Sequence, residues 1–208
     1  LAADGHTVVG VDVNPDKVAA VNAGRSPIVE PGIGDLIRDV VKEGKLSATT
    51  DTAHAVKSTD VSLVCVGTPS KPNGSLDLGH VARVCEQIGA ALADKNERHT
   101  IVIRSTMLPG SIESVARPAL ESASAKQAGK DFGLCVNPEF LREGAAIDDF
   151  MRPDRVVGGD QVGVRGIRAP HADPDAVELG PAELALEFEA GFFVSHSAIS
   201  SGSPSRSS

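Results

Sequence analysis

The residues best placed for chemistry are polar ones directly after short apolar runs. Asp12 closes the run at 6–13 (HTVVGVDV), and Asn14-Pro15 then turns the chain into a helical pattern. A carboxylate there can accept hydrogen bonds from both hydroxyls of an adenosine ribose and repel a 2′-phosphate, which favours NAD over NADP. The ordinary alternative is an N-cap for the next helix. Lys17, on the first turn of that helix, can reach a ribose or phosphate, or be a solvated surface cation. Gly67-Thr68-Pro69 follows the most apolar run, VSLVCV. Glycine lets a ligand approach the backbone and the Thr68 hydroxyl can bond a ribose; a plain strand-end turn is the alternative. Arg104-Ser105-Thr106, ahead of Leu108-Pro109-Gly110, repeats the pattern, with helix capping as the alternative for Thr106. The densest polar cluster is Asn137-Pro138-Glu139-Phe140-Leu141-Arg142-Glu143-Gly144. Asn137-Pro138-Glu139-Phe140 reads as a turn; if Glu139 opens a helix instead, Glu139 and Glu143 share a face. One of them can then position a water or hold a sugar hydroxyl. A cap with a surface Glu143 is the plainer reading.

Other chemistries find little support. The six histidines lack ligand spacing, so no metal is expected. The three cysteines, Cys65, Cys85 and Cys135, are an odd number without close spacing. That disfavours a disulfide framework or zinc site and fits a reducing cytoplasm; core packing of inert thiols is expected. Lys+Arg 20 against Asp+Glu 28 leaves a net charge of −8, which argues against a nucleic-acid binder. It leaves nucleotides open, because helix N-termini and backbone amides bind phosphate without net positive charge. No apolar run approaches the roughly 20 residues of a membrane span, and no stretch has the pattern of a secretory signal.

These residues need elements to position them. Strands are expected at 6–13, 46–50, 61–66, 100–105, 132–136 and 155–157. Helices are expected at about 15–23, 33–43, 51–57, 77–93 and 111–122, where apolar residues recur at helical spacing. Alternation of this kind means βαβ units around a parallel sheet. Ligands of such sheets sit beyond the carboxyl ends of the strands, so Asp12, Thr68, Thr106 and Glu139 should line one rim. With no Trp or Tyr and six Phe, the core must be built from Val, Ile, Leu and Ala. A chain of 208 residues suffices for one such domain with an appendage. Leu1 to Asp4 reads as the last turn of a helix ended by Gly5, as though the sequence opens inside a fold.

Residues 161–208 differ from the rest. They contain no Lys, and eight of the final 14 residues are Ser. One short helix is expected at 182–194, and the ending SHSAISSGSPSRSS is expected not to order itself. The expected division is a partial domain over 1–160 and a partly disordered tail over 161–208.

Five strings occur in order: GVDVNPDKV, GRSPIVEPG, CVGTPSKPNGSLDL, RHTIVIRSTMLPG and DFGLCVNPEFLREGAAIDDF. Together they resemble the NAD-binding half of the UDP-glucose/GDP-mannose dehydrogenase family, the nucleotide-sugar 6-dehydrogenases, over about residues 1–160. The Ser-Lys-Pro-Asn-Gly and Ser-Thr-Met-Leu-Pro-Gly variants look most like its GDP-mannose branch, which makes GDP-mannuronate for alginate. The resemblance implies a Rossmann-type, doubly wound, mostly parallel sheet, here lacking its first strand and Gly-rich loop. It implies two NAD per turnover as the sugar C6 alcohol becomes an aldehyde and then a carboxylate, with a Cys thiolate holding the aldehyde covalently. By resemblance, Asp12 and Lys17 would bind the adenosine ribose side of NAD, and Thr68 and Thr106 would contact the cofactor. Glu139 would touch the sugar and help activate the hydrolytic water, and Glu143 would support substrate binding. The family's nucleophile motif, Gly-x-Cys-x-Pro-Lys-Asp, has no match here, and Cys135 does not take its place. The expectation is therefore a cytoplasmic dehydrogenase fragment with little activity alone, whose parent acts on a nucleotide sugar as a homo-oligomer. The alternatives are a UDP-glucose 6-dehydrogenase fragment, a non-catalytic remnant module, or another hydroxyacid dehydrogenase of the same fold.

Overall fold

The structure is a computed structural model and describes residues 1–142, 144–152, 158–162 and 191–195. Apolar runs form five strands that point the same way: β1 (Thr7–Val11), β2 (Leu46–Thr49), β3 (Val61–Val64), β4 (Thr100–Ile103) and β5 (Gly133–Val136). Between them run α1 (Pro15–Asn22), α2 (Ile33–Lys42), α3 (Thr52–Lys57), α4 (Gly79–Ala93) and α5 (Arg117–Ser124), with a π-helical turn over Ile112–Ala116 leading into α5. Helix starts follow local chemistry. Asn14 caps α1 by accepting from the Asp16 N–H at 2.9 Å, and Pro15 sits where no intrahelical donor is needed. Asp51 caps α3 through the His54 N–H at 2.9 Å.

Three more elements follow: α6 (Ala146–Met151), β6 (Gly159–Val162) and β7 (Gly191–Ser195). The sheet order is β2-β1-β7-β3-β4-β5-β6, with β6 and β7 antiparallel to their neighbours. From β1 the chain winds one way to β2, and from β3 it winds the other way to β4 and β5. The reversal between β1 and β3 is the topological switch point at which ligands of doubly wound sheets bind. The expected α/β, mostly parallel, doubly wound class is what forms.

Period-two alternation along the strands feeds two apolar layers. Val11, Val64, Ile101, Ile103 and Leu134 pack against α3, α4 and α5 through Val56, Val81, Ile88, Leu92 and Leu120. Val8, Leu63, Val102 and Cys135 pack on the other face against Val21 of α1 and Ile33, Ile37 and Val40 of α2. Cys85 and Cys135 are buried and Cys65 is half-buried. Burial, helped by the charge of Glu86, pushes the Cys85 thiol up to about 12. Helices α4 and α5 meet where Gly89 has no side chain: a Cβ there would lie 2.8 Å from both Ala123 Cβ and the Leu120 carbonyl oxygen.

A polar knot lies inside the amino-terminal edge of the sheet, away from the rim where ligands are expected. His99 Nε2 is 2.6 Å from Ser62 Oγ, and Lys95 Nζ is 3.1 Å from His99 Nδ1. Lys95 also donates to the carbonyls of Val56, at 2.8 Å, and Thr59. Ser62, Lys95 and His99 are all buried. Burial and then the Lys95 charge hold the His99 imidazole down at about 4, and burial lowers the Lys95 ammonium too.

Two sequence expectations meet differences. Residues 191–194 belong to β7 rather than to a helix; 182–190 lie outside the described residues. Gly-Phe-Phe-Val favours a strand, and pairing along both edges overrides a weak local helical pattern. The strand expected at 155–157 lies outside the described residues, as does the Ser-rich stretch 196–208, and β6 starts at Gly159.

Candidate functional site

Asp12 follows β1 at its carboxyl end. Its N–H donates to the Thr49 carbonyl at 3.3 Å, extending the β1–β2 ladder, and its side chain is fully buried. Oδ1 accepts from the Asn14 N–H at 2.8 Å. Because Asn14 is the helix cap, Asp12 is not needed in that role. Its Oδ2 is buried with no hydrogen-bond partner, and Lys17 Nζ stands 3.8 Å away. A buried carboxylate oxygen without a donor is costly, and a ligand hydroxyl is the natural donor at this strand end.

Beyond the switch point, the β3 and β4 exits are laced together. Thr68 Oγ1 donates to the Thr106 carbonyl at 2.9 Å, and Ser105 Oγ donates to the Val66 carbonyl at 2.6 Å. The Thr68 hydroxyl spends its proton on Thr106 and keeps its lone pairs as acceptors. The Thr106 residue itself is exposed on the rim. Asp12 and Thr68 follow strands two spacings apart, on the order of 10 Å in the sheet, with β7 between them. Arg104 donates from its guanidinium to the Asn137 side-chain oxygen, tying the β4 exit to the β5 exit; both residues are buried.

Glu139 stands past the β5 exit on the same rim, half-buried. It does not open a helix. It lies in an irregular segment, where Oε1 accepts from the Leu141 N–H at 2.9 Å, and the next helix, α6, starts at Ala146. The turn expected over 137–140 is what forms: with Pro138 ahead of it, this carboxylate caps a turn rather than a helix. The shared helical face proposed for Glu139 and Glu143 is therefore absent for Glu139, and Glu143 lies outside the described residues.

Sequence reasoning gives Glu30, Arg104 and Asn137 no role, yet the structure does. Glu30 reaches across from the loop before α2, and its two oxygens accept from Gly144 N–H and Ala146 N–H, each at 2.9 Å. This carboxylate closes the entry to α6 and joins two loops more than 110 residues apart. Its only trace in the sequence is a carboxylate before Pro31 in a Pro-flanked loop. Arg142 completes the same corner: its Nε is 2.9 Å from Asp149 Oδ2, and its backbone N–H donates to that oxygen at 3.0 Å. These bonds from Arg142 hold the Asp149 carboxyl down at about 2.

The rim therefore gathers Asp12, Lys17, Thr68, Thr106 and Glu139 at the carboxyl ends of neighbouring parallel strands. A sequence profile described as the UDP-glucose/GDP-mannose dehydrogenase family, NAD binding domain, matches residues 1–166. The chain belongs to the UDP-glucose/GDP-mannose dehydrogenase family.

Known members of the family agree with this in sequence and structure. The GDP-mannose 6-dehydrogenase of Azotobacter vinelandii is 51% identical over 178 residues, covering 85% of this chain and 41% of that protein. The UDP-glucose 6-dehydrogenase of Haloferax volcanii is 41% identical over 157 residues, covering 76% of this chain and 36% of that protein. A crystal structure of a ternary complex of GDP-mannose dehydrogenase from Pseudomonas aeruginosa superposes with a TM-score of 0.76 at 52% identity, covering 77% of this chain and 37% of that one. The chain thus spans about two fifths of the length of the curated relatives it matches. The matched region of this dehydrogenase-family chain is the one that holds NAD, and the cofactor is NAD. The donor-poor Asp12 Oδ2 on the rim fits a cofactor hydroxyl. Among the described residues no helix is long and apolar enough to cross a membrane.

Proposed function

We propose that this chain is the NAD-holding part of a nucleotide-sugar 6-dehydrogenase whose whole enzyme oxidises GDP-mannose to GDP-mannuronate. The observation that carries the reading is Asp12: fully buried, released from capping by Asn14, and holding one oxygen without a donor at the switch point of the sheet. The choice of sugar nucleotide is supported by identities of 51–54% to GDP-mannose 6-dehydrogenases against 41% to the UDP-glucose enzyme of Haloferax volcanii.

In this reading the Asp12 carboxylate accepts from the adenosine ribose hydroxyls and repels a 2′-phosphate, with Lys17 beside it to offset the buried charge. Thr68 and Thr106 contact the cofactor from the β3 and β4 exits. The Arg104–Asn137 and Ser105–Val66 bonds fix those exits so that neither must reorganise when the cofactor arrives. When bound, NAD would supply the acceptor for the hydride from the sugar C6, and the four-electron change from alcohol to carboxylate would need two of them. Glu139 touches the sugar and helps activate the hydrolytic water, and Glu143 supports substrate binding. The covalent step needs a thiolate. Cys85 is buried with its thiol near 12, Cys135 is enclosed in β5, and Cys65 is half-buried. In this reading none of the three is that nucleophile.

Calorimetric titration of the purified 208-residue polypeptide tests the reading. Saturable NAD binding without steady NADH formation from GDP-mannose is expected. Absence of binding up to millimolar NAD would leave a non-catalytic remnant, and sustained NADH formation would overturn the reading that none of Cys65, Cys85 and Cys135 is the nucleophile.

A further inference from the structure

We propose that the outer edge of β2 is a self-association surface held shut from within: the Asn22 side-chain amide occupies the place where β2 of a second copy would pair. The proposal is independent of the reading of the rim. Among the described residues, β2 is the last strand on its side of the sheet and pairs with β1 alone.

Alternation decides which backbone groups β2 turns outward. The Lys45 and Thr49 carbonyls accept from Val8 N–H and Asp12 N–H, so Lys45, Ser47 and Thr49 face β1. Leu46 and Ala48 therefore present their N–H and C=O groups to the open side, where a further strand could add. Both groups of Ala48 are already taken. Its N–H donates to Asn22 Oδ1 at 2.7 Å, and Asn22 Nδ2 donates to its carbonyl at 2.8 Å. A primary amide holds one donor and one acceptor side by side, which is what an adjacent strand offers to a hydrogen-bonded residue. The helix gains little from this residue. Asn22 is the last position of α1, its side chain is largely exposed, and asparagine ranks low among helix formers.

The edge selects a second copy of this chain because it is complementary to itself. With Ala48 opposite Ala48 in an antiparallel pair, Leu46 stands opposite Thr50 and Lys45 opposite Asp51. The outward-facing residues then meet one another, so each opposed pair can exchange both of its bonds. Each end of the ladder sets an ammonium against a carboxylate, once for each copy. Leu46-Ser47-Ala48-Thr49 between them carries no charge. Such a pair closes on a two-fold axis. A parallel, in-register pairing would instead set Lys45 against Lys45 and Asp51 against Asp51.

Sedimentation equilibrium on the full 208-residue chain tests the proposal. Asn22→Ala frees both groups of Ala48 and puts a better helix former at the end of α1. It should dimerise at concentrations about tenfold or more below those the unaltered chain needs, because two bonds no longer compete with pairing. Adding Lys45→Glu, which sets like charges at both ends of the ladder, should cancel that gain. Asp51 stays in place because it caps α3. Asn22→Ser, too short to span both groups of Ala48, should also dimerise more readily than the unaltered chain, and it decides the matter if the alanine variant does not fold. Asn22 variants that associate no more readily than the unaltered chain, or association that Lys45→Glu leaves intact, would overturn the proposal.

Discussion

The Thr68 hydroxyl donates to the Thr106 carbonyl oxygen at 2.9 Å, joining the ends of two parallel strands across 38 residues of sequence. One side chain thereby sets the spacing of two loops that bound the cofactor rim. Thr68→Val keeps the shape and removes the donor. The folded state should lose about 1 kcal/mol, read by chemical denaturation, and NAD should bind several-fold more weakly. Thr68→Ser should restore most of both. A valine variant equal to the unaltered chain in stability and affinity would show that the lacing is idle.

Glu30 predicts a separable effect on the far side of the rim. Glu30→Ala leaves the Gly144 and Ala146 N–H groups without their acceptor, at a cost of about 1–3 kcal/mol for charge-assisted bonds. Amide exchange at Gly144 and Ala146 should rise while that of β3 and β4 stays the same. An equal rise throughout the sheet would mean that Glu30 acts on global stability rather than on this corner.

Buried His99 makes stability depend on pH. Its folded value of about 4 lies below the usual 6.5. Between those values the unfolded chain binds more protons, so stability is fully present above about 6.5 and is lost as pH falls toward 4. The loss should be on the order of 2–3 kcal/mol. His99→Gln, which does not titrate, should flatten denaturation midpoints over that window. An unchanged slope would assign it to other groups.

Gly89 is tested by adding a single methyl group. Ala is the better helix former, yet its Cβ would sit 2.8 Å from the Leu120 carbonyl oxygen on α5. Gly89→Ala should therefore destabilise by about 1–3 kcal/mol. A stabilised variant would show that α4 and α5 separate without strain.

The parallel framework was legible because its signals are local. The run at 61–66 and the helical spacing of Ile33, Ile37 and Val40 each name an element without reference to the rest of the chain. The rim followed from topology, since Asp12, Thr68, Thr106 and Glu139 all come directly after apolar runs. What escaped was non-local. Glu30 acts on a loop more than 110 residues away, and Arg104 and Asn137 are partners only because β4 and β5 are neighbours. Residues 191–194 read as helix because nothing nearby reveals two strand edges waiting for them. Spacing alone leaves open whether Glu139 opens a helix or sits in a turn, and its bond to the Leu141 N–H decides for the turn.

The role of Asp12 is best tested by calorimetric titration of NAD and NADP into the unaltered chain and into Asp12→Asn. NAD should bind the unaltered chain well ahead of NADP. The variant should bind NAD about tenfold or more weakly, as expected for loss of charged hydrogen bonds to ribose, and should narrow the gap between the two cofactors. Equal affinities for NAD and NADP in the unaltered chain, or an Asp12→Asn variant that binds NAD as tightly, would contradict the placement of the ribose on this carboxylate.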